Sequence, residues 1–122
     1  MTQIKAIIFD WAGTLIDQGS CAPAAAFVQA FEQHGIEISL AEARGPMGMP
    51  KRDHVKTLLQ QPEIEDRYRN NFGPLSEDLV DKIYASFVPI NERIALDFAT
   101  LIDGALDTLT WLQAQDIKIG TT

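Results

Sequence analysis

One cysteine, few basic residues and no long apolar run set the first bounds on this chain of 122 residues. A lone Cys21 excludes an intrachain disulfide and makes a reducing, cytoplasmic compartment the expected home. With no base near it in sequence, Cys21 reads as inert. Ten Lys and Arg against 17 Asp and Glu give a net charge of -7. That balance argues against a nucleic-acid or anionic-membrane binder, since both need a dense basic field. Any anionic ligand must be held by local charge. The longest apolar stretches, such as Ala6-Ile7-Ile8-Phe9, fall far short of the roughly 18 residues of a membrane span. No basic and apolar leader precedes them, so no signal peptide is expected. A 46% hydrophobic content does support a modest folded core.

Ile4 to Phe9 is β-branched and almost continuously apolar, which predicts a strand buried on both faces of a parallel sheet. It ends at Asp10. Gly13 and Gly19 bracket a turn region, and Pro23 suits the first turn of a helix. Ala24 to His34 continues that helix, with Phe27, Val28 and Phe31 on one face, until Gly35 stops it. Ser39 and Glu42 have the capping-box spacing and open a short helix that breaks at Gly45-Pro46. Pro50 restarts a helix through Val55, Leu58 and Leu59, which Pro62 ends. Glu63 to Asn71 and Ser76 to about Leu96 predict two more. The second has Leu79, Ile83, Phe87 and Ile90 on one face, and Pro89 is expected to kink or split it. Asp103 is expected to cap an amphipathic helix carrying Leu106, Leu109, Trp111 and Leu112, ahead of a second parallel strand at Ile117-Lys118-Ile119.

The order strand, helical insertion, helix, strand defines an α/β chain. Residues 1–18 and 101–122 form a parallel-sheet core, and 19–100 an inserted all-helical cap. Parallel sheets usually carry about 4–6 strands with both faces covered. Two strands leave the core incomplete, so the chain is expected to be the N-terminal part of a longer protein.

In open α/β sheets ligands bind beyond the carboxyl ends of the strands, which is where Asp10 falls. The stretch Ile8-Phe9-Asp10-Trp11-Ala12-Gly13-Thr14-Leu15 follows that carboxylate with a tight turn whose N–H groups could surround a tetrahedral anion. It resembles the first motif of the haloacid dehalogenase superfamily. The resemblance implies a Rossmannoid core and a nucleophilic Asp10 that attacks phosphorus to form an aspartyl phosphate. Ala12 departs from the typical phosphatase pattern, which has a second Asp there as general acid and base. Two families lack it: the haloacid dehalogenases, whose leaving group is halide, and phosphonoacetaldehyde hydrolase, whose leaving group is carbon.

Gly19-Ser20, Ala22-Pro23, Phe27, Phe31 and the run from Glu42 through Gly45-Pro46-Met47-Gly48-Met49-Pro50-Lys51 to Val55 resemble the phosphonoacetaldehyde hydrolase family. That resemblance implies a Schiff base between Lys51 and the substrate aldehyde, with Mg²⁺ as the metal. The chemistry gives an independent reason for a lysine. Breaking a C–P bond expels a carbanion, and an iminium at the next carbon turns it into an enamine. No acid at Ala12 is then needed. A lysine that attacks an aldehyde must be neutral, whereas an unperturbed one is only about 0.04% neutral at pH 7. A first-turn position after Pro50 disfavours the ammonium. So does a local excess of positive charge: Arg44, Lys51, Arg52 and Lys56 stand against Asp53 alone in 44–56, 4 - 1 = +3, which would also attract a phosphonate. His54, three residues on, shares a helix face with Lys51 and is a candidate proton shuttle.

Met47 and Met49 could line the pocket, and Ala12, Gly13, Thr14 and Ser20 could contact phosphonate oxygens. Thr121 and Thr122 reach the position of the superfamily's second motif, a hydroxyl that binds the phosphoryl group. From this chain Mg²⁺ could take only the Asp10 carboxylate and the Ala12 carbonyl, too few for an octahedral ion. By itself the chain is expected to be inactive. A haloacid dehalogenase-like hydrolase and a non-catalytic fragment are the alternatives. A homodimer through the apolar residues of the first cap helix, Ala24 to Phe31, is the expected partner interaction besides the small phosphonate substrate.

Overall fold

The apolar run after Ile4 forms a strand, β1 (Ala6–Phe9), whose parallel partner is β2 (Lys118–Thr121) in the register Ala6 to Lys118 through Phe9 to Thr121. Between them run α1 (Cys21–Glu32), α2 (Leu40–Arg44), α3 (Lys51–Leu59), α4 (Pro62–Phe72), α5 (Glu77–Ala95) and α6 (Ala105–Ala114). The computed structural model describes residues 3–122. It divides into two compact units, one formed by residues up to Cys21 with Asp97–Thr122, the other by Ala22–Leu96. The chain is α/β: a short parallel sheet with a helical insertion, and an incomplete core.

In the strand unit the expected two-sided burial of β1 does not occur. Ile4 and Ile8 are each 64% exposed, because β2 and α6 are all that these 122 residues supply to cover the sheet. Gly120 lets the strands close up, since a Cβ there would lie 2.8 Å from Ile8 Cδ1. α6 buries Ala105 and Leu112 but leaves Leu106 and Trp111 exposed, so its apolar surface is only partly used. Its start also differs from expectation. Asp103 is not the cap; Gly104 takes that place at φ 82, and the first helical N–H, from Ala105, turns back to the Ile102 carbonyl at 2.9 Å.

The segments that leave and re-enter the strand unit lie side by side. Ile16 bridges Leu101 in antiparallel fashion, Asp17 N–H donates to the Thr100 carbonyl (3.0 Å) and Ile102 N–H to the Leu15 carbonyl (2.9 Å). Asp17 sits in the left-handed region at φ 53, is only 6% exposed, and its Oδ1 accepts the Cys21 N–H at 2.8 Å.

The helical unit has the closed core. Phe27 of α1 stacks on Phe87 of α5 with ring centroids 4.2 Å apart, and Phe31, Val55, Leu58, Ile64, Tyr68, Val80 and Ile83 are fully buried. Tyr68 keeps its hydroxyl satisfied by donating to the Leu59 carbonyl at 2.8 Å. Pro62 begins α4 at its first turn, where a missing N–H is harmless, and α5 continues through Pro89 as one helix, so that proline does not split it. The α1 residues expected to meet a partner chain, Ala24, Ala26, Phe27, Ala30 and Phe31, are instead buried inside this unit. For the described residues, no helix is long and apolar enough to cross a membrane.

Candidate active site

Asp10 follows the last residue of β1 and is exposed. Its Oδ1 accepts the N–H of Trp11 at 2.8 Å, which orients the carboxylate and leaves Oδ2 outward. The chain then makes one tight turn. Thr14, Leu15 and Ile16 N–H groups all donate to the Trp11 carbonyl (2.9–3.2 Å), and Gly13 N–H to the Ile16 and Asp17 carbonyls (2.8 and 3.1 Å). Gly13 and Thr14 therefore hold the turn with the amides expected to cradle an anion, and what Thr14 has left for a ligand is its hydroxyl. Gly13 has a steric reason to be glycine. It lies at φ 79, and a Cβ there would come within 2.6 Å of Ser20 Oγ.

The strand register brings Asp10 together with the end of β2. Phe9 pairs with Thr121, and Thr122 N–H donates to the Phe9 carbonyl at 3.1 Å, so Asp10 and Thr122 emerge at the same end of the sheet. Both threonines are exposed there. Asp10, Thr121 and Thr122 thus share one end of the sheet, and Ala12, Gly13 and Thr14 follow in the turn after Asp10. Among the described residues no group of three or more His, Cys, Asp or Glu could hold a metal ion. Asp10 and Ala12 alone do not fit an octahedral Mg²⁺ site.

Lys51 and His54 lie on α3 in the helical unit, and Met47 lies in the turn ahead of it. Lys51 opens α3, its Nζ 6.0 Å from the centroid of the Phe27 ring. It has no ion-pair partner among the described residues. Its positive neighbours do: Arg52 binds Glu77 (2.7 Å) and Asp81 (2.8 Å), and Lys56 binds Glu77. The local excess of +3 counted along the sequence is therefore largely compensated from α5, 21 to 29 residues away in the chain. Met47 is half-buried in the turn ahead of α3.

His54 is fully buried, stacked on Phe27 at a centroid distance of 4.0 Å. Its Nε2 lies 2.7 Å from the Ala43 carbonyl oxygen, which makes Nε2 a protonated, donating nitrogen. Nδ1 is buried with no partner and remains the acceptor atom. Burial pushes the His54 pKa below its usual value; the Lys51 charge acts in the same direction and the Ala43 bond opposes it. Sequence reasoning missed Asp17 and the α5 carboxylates. An Asp four residues before a helix start was a readable signal for the first; nothing local marked the second.

A parallel strand ending in a carboxylate, a tight turn, and a helical insertion after it define the class. The sequence matches the haloacid dehalogenase-like hydrolase family over residues 4–121, and the chain belongs to that family. More particularly, it is 52% identical to a phosphonoacetaldehyde hydrolase of Pseudomonas putida (strain W619), over 98% of this chain and 44% of that protein. It is 45% identical to a phosphonoacetaldehyde hydrolase of Paraburkholderia phytofirmans, over 100% of this chain and 46% of that protein. A crystal structure of a phosphonoacetaldehyde hydrolase-like protein from Oleispira antarctica superposes with a TM-score of 0.91 at 40% identity, covering 97% of this chain and 43% of that one. A predicted phosphoglycolate phosphatase from Haemophilus somnus shares the fold, with a TM-score of 0.77 at 20% identity over 100% of this chain and 52% of that one. The chain spans less than half the length of the curated relatives it matches.

Proposed function

We propose that this chain carries two of the reacting groups of a phosphonoacetaldehyde hydrolase, the nucleophile Asp10 and the Schiff-base lysine Lys51. The observation that carries the reading is Lys51 itself: it opens α3 without an ion-pair partner among the described residues, while Arg52 and Lys56 beside it are both tied to α5. The identity to phosphonoacetaldehyde hydrolases supports the substrate class.

In this mechanism Lys51 Nζ attacks the aldehyde carbon, and the carbonyl oxygen leaves as water. The iminium that results withdraws electrons from the neighbouring C–P bond. Asp10 Oδ2 then attacks phosphorus, the C–P pair moves into an enamine, and an aspartyl phosphate is left on the strand unit. Protonation at carbon and hydrolysis of the imine release acetaldehyde, and water cleaves the acyl phosphate to phosphate. No acid is required at Ala12, because the leaving group is carbon stabilised as an enamine. His54 contributes through Nδ1, which can take and return a proton during imine formation while Nε2 stays on the Ala43 carbonyl. Thr14, Thr121 and Thr122 would contact the phosphoryl oxygens. Mg²⁺ is the metal the family resemblance implies; the residues present supply only Asp10 and Ala12 toward it, and no step above is routed through it.

The test is borohydride trapping with phosphonoacetaldehyde in the full-length protein, followed by peptide mass spectrometry. The reading expects a reduced adduct on Lys51, lost in Lys51→Arg, and retained in Asp10→Asn, which should release no phosphate. Turnover that persists in Lys51→Arg would refute it.

A further inference from the structure

Lys51, His54 and Thr57 recur at three-residue intervals, so they share one face of α3. The two behind Lys51 both reach back to the segment that precedes it. His54 Nε2 donates to the Ala43 carbonyl at 2.7 Å, and Thr57 Oγ1 donates to Met49 Sδ at 3.4 Å. From Gly45 to Pro50 the chain has no helix or strand of its own, and Gly48 stands at φ 101, a backbone state that glycine adopts readily. A threonine inside a helix ordinarily turns its hydroxyl to solvent or to the carbonyl four residues back. Thr57 instead directs it to a thioether eight residues earlier.

We infer that Thr57 is a positioning residue: by holding Met49, it sets the course of the 45–50 segment directly ahead of Lys51 and so the path by which an aldehyde reaches Nζ. The inference rests on the Schiff-base role of Lys51 proposed above. It deepens that role by adding a residue that touches neither substrate nor the reacting nitrogen. With His54 holding one end of the segment and Thr57 the other, α3 fixes both the amine and the approach to it.

The experiment compares, in the full-length protein, Thr57→Val, Thr57→Ser, Met49→Leu and the Thr57→Val/Met49→Leu double variant. Valine and leucine keep shape and remove the donor or the sulfur. The first readout is the rate of borohydride-trapped adduct on Lys51 with phosphonoacetaldehyde. Thr57→Val and Met49→Leu should each slow trapping about three- to tenfold, the size of one modest hydrogen bond. The double variant should be no slower than either single one, and Thr57→Ser should trap like the parent. Additive losses, or a Thr57→Val protein that traps at the parental rate, would overturn the inference. The second readout is the ¹³C methyl resonance of Met49, which needs no chemistry. It should move in Thr57→Val and return in Thr57→Ser; a resonance unmoved in Thr57→Val would overturn the inference. If the parent itself gives no adduct, the Schiff-base reading fails and the methyl resonance alone decides the role of Thr57. Should Thr57→Val fail to fold, Met49→Leu against Thr57→Ser carries the same comparison.

Discussion

Glu42→Gln tests whether one carboxylate fastens the short helix α2 to α4. Glu42 completes the capping box, with its N–H on Ser39 Oγ (3.1 Å) and its Oε2 on Ser39 N–H (2.7 Å). It also takes both arms of the Arg67 fork, Nη1 at 3.0 Å and Nη2 at 2.8 Å, and Nη1 reaches the Glu37 carbonyl as well. Arg67 foremost, and then the Ser39 N–H, hold the Glu42 pKa down from 4.5 to about 2. Taken in full, that depression is worth about 3 kcal/mol at about 1.4 kcal/mol per decade. Arg67 is 38% exposed and Glu42 25%, so solvent screening reduces the expected loss to about 1–2 kcal/mol. Glutamine keeps one acceptor oxygen for the capping box but loses the charge, and its NH2 cannot accept the second arm of Arg67. The depressed pKa fixes the sign: the contribution is complete above pH 4.5 and is lost as pH falls toward 2. Urea unfolding followed by circular dichroism at 222 nm should therefore separate the parent from Glu42→Gln at pH 7, with a gap that narrows steadily below pH 4.5. A gap of the same size at pH 7 and pH 3 would refute the electrostatic account.

Three further outcomes are expected. Burial keeps the His54 pKa below its ordinary value, so the unfolded chain binds the proton more readily; stability should decline as pH falls below about 6.5, and thermal melts of His54→Phe should lack that decline. Gly13→Ala places a Cβ against Ser20 Oγ at φ 79 and should lower stability by about 1–2 kcal/mol in urea titrations, more than Gly35→Ala, where no atom lies within 4 Å. Glu77→Gln loosens Arg52 and Lys56 together, but these pairs are exposed, so its melt should show only a small change, and one that vanishes in high salt.

The features that local chemistry determines were legible in the sequence. The Ser39–Glu42 box, the helix that begins after Pro50, the end of β1 at Asp10 and the stripe of Leu79, Ile83, Phe87 and Ile90 all depend on residues within a turn or two of one another. What escaped depends on distant partners. Arg52 and Lys56 read as an open positive patch because Glu77 and Asp81 meet them only after α4 has reversed the chain. The apolar composition of β1 could not reveal that one of its faces stays exposed and the other only half-buried, since burial is set by neighbours rather than by the strand. The apolar residues of the first cap helix could not show from the sequence that they pack within the helical unit, with Phe27 on Phe87 of α5. Asp103 was a reasonable cap by residue type, but α6 starts with a left-handed step at φ 82, which Gly104 takes without the strain of a Cβ.

The antiparallel contact between Leu15–Asp17 and Thr100–Ile102 closes the chain at the base of the helical insertion. Because the ends of that long excursion are clamped to each other, the parallel pairing of β1 and β2 does not depend on what lies between them, and lengthening the excursion adds only a slowly growing entropic term. Helices could be exchanged within that closed excursion while Asp10 keeps its place at the end of β1.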